Sequence, residues 1–306
     1  MDIAPIVLFV YNRPFHTRRT VEALQLNNLA KDSDLIIFSD APKDDKSCSA
    51  VKDVRCFIKT IGGFKNITII EREENFGLVR SIKEGVTDIV NRFGKIIVLE
   101  DDLVTHPQFL EFSNDALEFY KKNKEVFAIT GYSFLKSSKN DDVINKTYFL
   151  ELPSTWGWST WSDRWAYYDK KSSDFNVLDR DKILKKRFNY DNTYNYYKML
   201  HDRNNGHVKS WGIMWYWCIF REKGLTLFPS DSLISQIGQD GSGENYKNYR
   251  VSEDKIKNLK YYFNFPELIK ERLSDRKKMV KILKYRKLVI LYSIIAEKIN
   301  SIFLKE

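Results

Sequence analysis

Four short apolar runs mark the N-terminal third of the chain: Pro5 to Tyr11 (PIVLFVY), Leu35 to Phe38, Ile67 to Ile70 and Ile96 to Leu99. Each stops at polar residues, as a strand buried on both faces does where it reaches the edge of a sheet. Between them lie segments of helical character, His16 to Leu26, Ser49 to Ile61 and Leu78 to Phe93. The last places Leu78, Ile82, Val86, Ile89 and Phe93 at spacings of three and four, one apolar stripe for a sheet to cover. Strand and amphipathic helix in repeated alternation predict a parallel, doubly wound α/β sheet, whose ligands bind beyond the carboxyl ends of the strands. That rule gathers Asn12, Arg13, Asp40, Arg72, Asn75 and the acids Glu100, Asp101 and Asp102 onto one rim.

The fourth run, in Lys95 to His106 (KIIVLEDDLVTH), ends in three successive carboxylates. Unpaired at the end of an apolar strand they would repel one another, so a positive partner is expected. A hard divalent cation, Mg²⁺ or Mn²⁺, is one such partner. A solvated acidic turn, with the helix that starts near Pro107 drawing the carboxylates to its N-terminus, is the other reading. No GxGxxG follows the first strand and no GxxxxGK[ST] occurs, which disfavours dinucleotide and P-loop sites.

Beyond Tyr120 the pattern changes. Val126 to Thr130 and Gly224 to Pro229 read as strands, and Asn189 to Asn205 as a polar, tyrosine-rich helix. Tryptophans concentrate in Thr155 to Tyr168 (TWGWSTWSDRWAYY) and Ser210 to Trp217 (SWGIMWYW). Large aromatics ordinarily fill core volume. Trp156, Trp158, Trp161, Trp211 and Trp215 also suit an acceptor platform, since sugars offer apolar C–H faces rimmed by hydroxyls. Ile237 to Gly243 (IGQDGSG) is a turn-rich loop, a surface connection or a flap that brings Asp240 over a phosphate or metal. Domain organisation is expected as residues 1–125, an α/β ligand-binding half; 126–250, the aromatic-rich second half of the same domain; and 251–306, a basic tail.

Composition narrows the class. A chain of 306 residues that is 43% hydrophobic and 14% aromatic has a sizeable core to bury. Three cysteines without ligand spacing indicate neither a disulfide framework nor a zinc site. Without a leader-like segment or an apolar run of about 18 residues, a cytoplasmic protein is expected. The net charge of +9 is unevenly placed: Val251 to Glu306 holds 14 Lys and Arg against 7 Asp and Glu. The surplus belongs to the tail, which argues against a nucleic-acid groove in the core and for an anionic partner at a surface. Within the tail a basic half, Arg276 to Lys287, precedes an apolar half, Leu288 to Ile302. That order suits helices lying on an anionic inner leaflet or, alternatively, packing on the domain with solvated lysines.

The ordered set PIVLFVYNRP, FSD, IIEREENFGL, VLEDDL, TWGWSTW and SWGIMWYWCIFREKGLTLFPSDSLISQIGQDGSG resembles bacterial GT-A-type, family 2-like glycosyltransferases of surface-polysaccharide synthesis. It is more distantly similar to the eukaryotic N-acetylglucosaminyltransferase that initiates complex N-glycans. The resemblance covers about residues 3 to 245 and implies a GT-A, Rossmann-like fold. It further implies a metal-dependent transfer from a nucleotide sugar, UDP-linked with UDP-GlcNAc among the candidates, to a saccharide acceptor. By the same resemblance Asp102 corresponds to the Mn²⁺ or Mg²⁺ ligand, Asp101 to the ribose contact with Glu100 beside it, and Asp40 to the uracil contact. Asn12 and Arg13 match first-strand nucleotide contacts, and Arg72, Asn75 and Gly77 lie where the family's chain passes the donor. The distant relative's base is an aspartate in a W-D-D-W run; Trp211-Gly212-Ile213-Met214-Trp215 has no carboxylate, so Asp163 and Asp240 are the candidate bases. A sugar nucleotidyltransferase would want a Gly-rich phosphate loop that is missing here. A non-catalytic sugar-binding protein would have no use for the clustered acids. A tail on the membrane implies a lipid-linked acceptor.

Overall fold

The computed structural model describes residues 2–135, 144–168, 174–241, 256–257 and 259–285. The predicted βα rounds are present: β1 (Ile6–Val10), α1 (Pro14–Gln25), β2 (Asp34–Ser39), α2 (Asp45–Ile58), β3 (Asn66–Glu71), α3 (Gly77–Phe93) and β4 (Lys95–Glu100). There follow β5 (Leu103–Thr105), α4 (Phe109–Phe119), β6 (Val126–Thr130), β7 (Ile144–Leu150), β8 (Trp158–Trp161) and the short α5 (Ser162–Trp165). Then come α6 (Val177–Arg180), α7 (Lys182–Phe188), α8 (Tyr196–Asn204), α9 (Gly212–Arg221), β9 (Leu225–Pro229), β10 (Ile234–Gln236) and β11 (Tyr262–Asn264). Residues 273–285 are helical.

Nine strands form one sheet in the order β11-β7-β9-β6-β8-β4-β1-β2-β3, and β5 and β10 form a separate antiparallel ribbon. The β4-β1-β2-β3 half is parallel, as the alternation predicts. The whole sheet is mixed, because β8 enters antiparallel between β4 and β6. The boundary drawn at residue 125 therefore falls inside a continuous sheet.

Alternation along the strands assigns side chains to the two faces. Ile6 and Leu8 join Leu35, Ile37, Ile97 and Leu99 under α1, α2 and α4, while Val7 and Phe9 join Ile36, Phe38, Ile96 and Val98 under α3. Local chemistry sets the boundaries. Pro14 opens α1, where its fixed φ suits the first helical position. Asp44 and Ser47 form a reciprocal capping box that starts α2 four residues before the predicted Ser49.

The tyrosine-rich segment is a helix only from Tyr196, capped by the Asn195 side chain, which accepts from Lys198 N at 3.0 Å. Ahead of it Tyr190, Asp191 and Asn192 all adopt left-handed φ of 47° to 61°. Such a run is unfavourable for L-residues and is overdetermined by its surroundings. The Tyr190 hydroxyl donates to Glu271, Arg276 lies 4.4 Å from the Tyr190 ring centroid, and Arg276 Nη2 is 3.3 Å from Asp191 Oδ1.

Those contacts also tie residues 259–285 to the domain. β11 pairs with β7, the Thr147 hydroxyl donates to Asn264 O at 2.6 Å, and Tyr120 donates to Pro266 O at 2.8 Å. Met279 is fully buried in the core, while Lys277, Lys278, Lys281 and Lys284 are exposed. The expected tail is thus, over 273–285, a helix docked on the domain with its lysines outward. The apolar run Leu288 to Ile302 lies outside the described residues. Among the described residues no helix is long and apolar enough to cross a membrane.

Gly85 marks where α3 meets the sheet most closely: a Cβ there would stand 2.8 Å from two atoms of the Phe9 ring. Gly85→Val is expected to destabilise the fold by roughly 2 kcal/mol through overpacking. Urea unfolding checks this, and an unchanged midpoint would contradict the close approach.

Candidate active site

The C-terminal ends of β1, β2, β3 and β4 share one rim because these strands are parallel and in register, with Phe9 beside Glu100 and Val10 beside Ser39. At this rim β4 ends in Glu100, which is half-buried, Asp101, which is buried, and Asp102. Arg13, at the junction of β1 and α1, supplies the expected positive partner. Its Nη2 donates to Asp101 Oδ1, and to Asp102 Oδ2 at 2.8 Å. Further donors orient the acids: Tyr11 N to Asp101 Oδ2 at 3.4 Å, and Gln236 Nε2 to Asp102 Oδ2 at 3.0 Å. The backbone is pinned as well, with Thr20 donating to Asp101 O and Ile237 N to Asp102 O, both at 2.9 Å.

The β5–β10 ribbon carries the loop after β10 back over these acids. A Cβ on Gly238 would stand 2.1 Å from Asp102 Oδ2 and 2.7 Å from Arg13 Nη1, so any side chain there would have to push the carboxylate and the guanidinium aside. Two residues on, Asp240 Oδ2 lies 3.1 Å from Nε2 of His16, a buried residue of α1. The sequence reading missed His16, Thr20 and Gln236. Nothing in local periodicity singles them out; they become site residues only through the packing of α1 and the ribbon on the end of β4.

The charges follow from this crowding. Burial, then repulsion by Asp102 and Asp101, pushes the Glu100 carboxyl up to about 8, with Arg13 opposing. Burial also raises the Asp101 carboxyl, while the Arg13 guanidinium pulls the other way. Burial acts against the charge of Arg13, but the two aspartates outweigh it and hold the guanidinium more firmly protonated than usual.

Asp40 is buried at the end of β2 and serves the N-terminus of α3. Its Oδ1 accepts from Phe76 N at 2.9 Å and Ala41 N at 3.1 Å, and its Oδ2 accepts from Gly77 N at 2.9 Å. A carboxylate offers about four acceptor positions, so a ligand N–H has one left to use. Asn75 donates to Ala41 O at 2.6 Å, which fixes the same turn. Arg72 is buried between the Phe38 and Phe76 rings and donates to Ser81; burial lowers its pKa, against the attraction of Asp40 and Glu84. Asn12 is half-buried beside Arg13.

Two expectations are corrected. Asp163 lies at the opposite end of the sheet, because antiparallel β8 sets Trp161 beside Lys95 at the start of β4. With about 3.3 Å per residue, the length of β4 separates it from Glu100 by roughly 17 Å. There Asp163 pairs with Lys124, and with Arg164 at 2.7 Å. Trp158, Trp161, Trp211 and Trp215 are no surface platform, since none is more than 5% exposed. Trp158 packs 5.4 Å from Trp211 and 5.9 Å from Trp215 between ring centroids, and Trp161 donates through Nε1 to Leu117 O at 3.2 Å. Trp156 differs: it is partly exposed, sets its ring edge-on to Tyr132 at 4.5 Å, and precedes β8 at the end of the sheet where β4 finishes.

Among the described residues no group of three or more His, Cys, Asp and Glu side chains converges as a cage for a metal ion. The oxygens at the end of β4 are nonetheless of the hard type, and Gln236 Oε1 is buried without a hydrogen-bond partner while its amide nitrogen touches Asp102. Asp102, Asp101 and that oxygen fit an ion of the Mg²⁺ type, which takes one or two carboxylates and completes its shell from water and phosphate.

No protein-family model matches the chain, and no curated protein does. Among solved structures it is similar to residues 1–349 of S. aureus TarS, with 9% identity and a TM-score of 0.38 over 75% of this chain and 59% of that one. It is also similar to the mannosyltransferase PcManGT from Pyrobaculum calidifontis in complex with GDP-Man and Mn²⁺, with 10% identity and a TM-score of 0.37 over 72% of each chain. An active-site mutant of LgtC matches with 9% identity and a TM-score of 0.37 over 57% of this chain and 65% of that one. The chain spans 30% of the length of the longer TarS structure. These TM-scores all lie below 0.5.

The raised Glu100 carboxyl has a testable sign. The folded state holds this proton from the ordinary value of 4.5 up to about 8, so the stability of the metal-free protein falls as pH rises through that window. Glu100→Gln should flatten the fall, stabilising the protein at the alkaline end and not below pH 4.5. Urea unfolding in EDTA across the window measures it.

Proposed function

We propose that the protein is a GT-A-type glycosyltransferase that moves a sugar from a nucleoside diphosphate, a UDP-sugar such as UDP-GlcNAc, to a saccharide acceptor with inversion. One observation carries the reading: a carboxylate pair at the end of the central parallel strand β4, supplied with a cationic side chain and covered by a glycine-bearing loop. A divalent cation held by Asp102, with Asp101 beside it, would stabilise the diphosphate leaving group.

The protein's own residues divide the remaining work. Asp101 binds the ribose with Glu100 beside it, and the free acceptor position of Asp40 takes the uracil N–H. Asn12 lines the base. Asp240 receives the proton of the attacking acceptor hydroxyl, and His16, 3.1 Å away, fixes its orientation. Trp156, the partly exposed member of the aromatic set, stacks on the acceptor sugar. The roles given to Asp102, Asp101, Glu100, Asp40 and Asn12 are those that the motif resemblance to family 2-like enzymes of surface-polysaccharide synthesis implies; those of Asp240 and Trp156 rest on their position here.

UDP release from a panel of UDP-sugars and acceptors, with Mn²⁺ and with EDTA, tests the reading. It is wrong if release is absent or indifferent to the metal. Asp102→Asn is expected to abolish metal-dependent UDP binding with an unchanged far-UV spectrum. Asp240→Asn should lower kcat about a hundredfold or more, with donor KM nearly unchanged.

The lysines of the docked helix fit contact with an anionic membrane surface and hence a lipid-linked acceptor. Each contributes about 1 kcal/mol near such a surface. Removing the helix would also remove Met279 from the core, so charge reversal is the cleaner change. Lys277→Glu with Lys281→Glu should abolish flotation with anionic liposomes without lowering thermal stability; undiminished flotation would exclude this contact.

A further inference from the structure

The guanidinium of Arg13 occupies the position that a bridging cation would take. One nitrogen, Nη2, serves both Asp101 and Asp102. A purely structural arginine would more commonly set its planar fork against a single carboxylate with two parallel bonds. The carboxylates do not depend on Arg13 for their orientation, since Tyr11 N, Gln236 Nε2 and the pinned backbone at Thr20 and Ile237 hold them independently. Apart from the acids, Arg13 is fixed at its backbone, where its carbonyl accepts from both the N–H and the hydroxyl of Thr17 at 2.9 Å. Its side chain is 18% exposed.

We propose that Arg13 is the resident counter-ion of the acid pair and that a divalent cation enters by displacing it, releasing a positive side chain beside the leaving diphosphate. The inference rests on the metal-dependent reading above. Charge makes the exchange reasonable. Asp101, Asp102 and one guanidinium carry one net negative charge among them, whereas the same two carboxylates with a divalent ion carry none. Because Gly238 packs against both Arg13 and Asp102, movement of the guanidinium is also felt by the loop that carries Asp240.

The test uses the full chain and Mn²⁺ alone, with free Mn²⁺ counted by electron paramagnetic resonance and unfolding followed by thermal shift. Arg13→Gln removes the competitor and should bind Mn²⁺ on the order of tenfold more tightly than the wild type. Without metal it should melt below the wild type, and saturating Mn²⁺ should close the gap. Arg13→Lys, a point charge without the fork, should fall between the two. Equal or weaker Mn²⁺ binding by Arg13→Gln, or a melting deficit that Mn²⁺ leaves intact, overturns the exchange while leaving the metal reading standing, provided Asp102→Asn still abolishes binding. Absence of Mn²⁺ binding in every variant and in the wild type overturns both. If Arg13→Gln and Arg13→Lys fold only when Mn²⁺ is present, the exchange is supported; if neither folds even then, Arg13 is not replaceable by the ion and the proposal fails.

Discussion

The interaction on which this structure most depends is the neutralisation of negative charge at the end of β4. A strand as apolar as Ile96 to Leu99 must run through the middle of the sheet, and its last turn cannot present three carboxylates to a low-dielectric rim without compensation. Arg13 supplies it, and much of the local architecture follows. Pro14 starts α1 immediately after Arg13, Thr20 of α1 reaches back to the Asp101 carbonyl, and the β5–β10 ribbon lays Gln236 against Asp102. Each element that approaches the acids brings them a donor.

The aromatic inventory is divided between the two faces of the same sheet. Trp158, Trp165, Trp211 and Trp215 fill the space between β8, α3 and α9, while Trp161 turns to the other face and bonds to the end of α4. This packed second half also holds the turn before β8, where Gly131 N donates to Gly157 O at 2.7 Å and the Trp156 ring meets Tyr132. Binding surfaces are more precise when carried by such a frame than when built on free loops.

What the sequence shows and what it hides have physical causes. Strands β1 to β4 and α3 are legible because burial on both faces, or along one stripe, leaves a strong periodic signature. The acids of β4 are legible because charge at the end of an apolar run is conspicuous. The antiparallel entry of β8 is not, since a four-residue strand rich in tryptophan has no period by which to choose a direction, and with it went the placement of Asp163. Buried tryptophans and ligand-stacking tryptophans share one composition, so only packing separates Trp158 from Trp156. His16 is hidden because its partner Asp240 is more than 200 residues away in the chain, and a sequence records no such distance.

The position of β11 bears on how the protein is made. β7 is held on one side by β9 and on the other by β11 and a bridge from Phe149 to Glu271, so the last strand among the described residues covers what would otherwise be an open edge. Unpaired edges invite pairing between molecules. During synthesis the sheet can form from β1 to β9 while this edge stays bare until residues 262–264 leave the ribosome. Until then the outer edge of β7 is a row of unpaired backbone groups of the kind another chain can pair with.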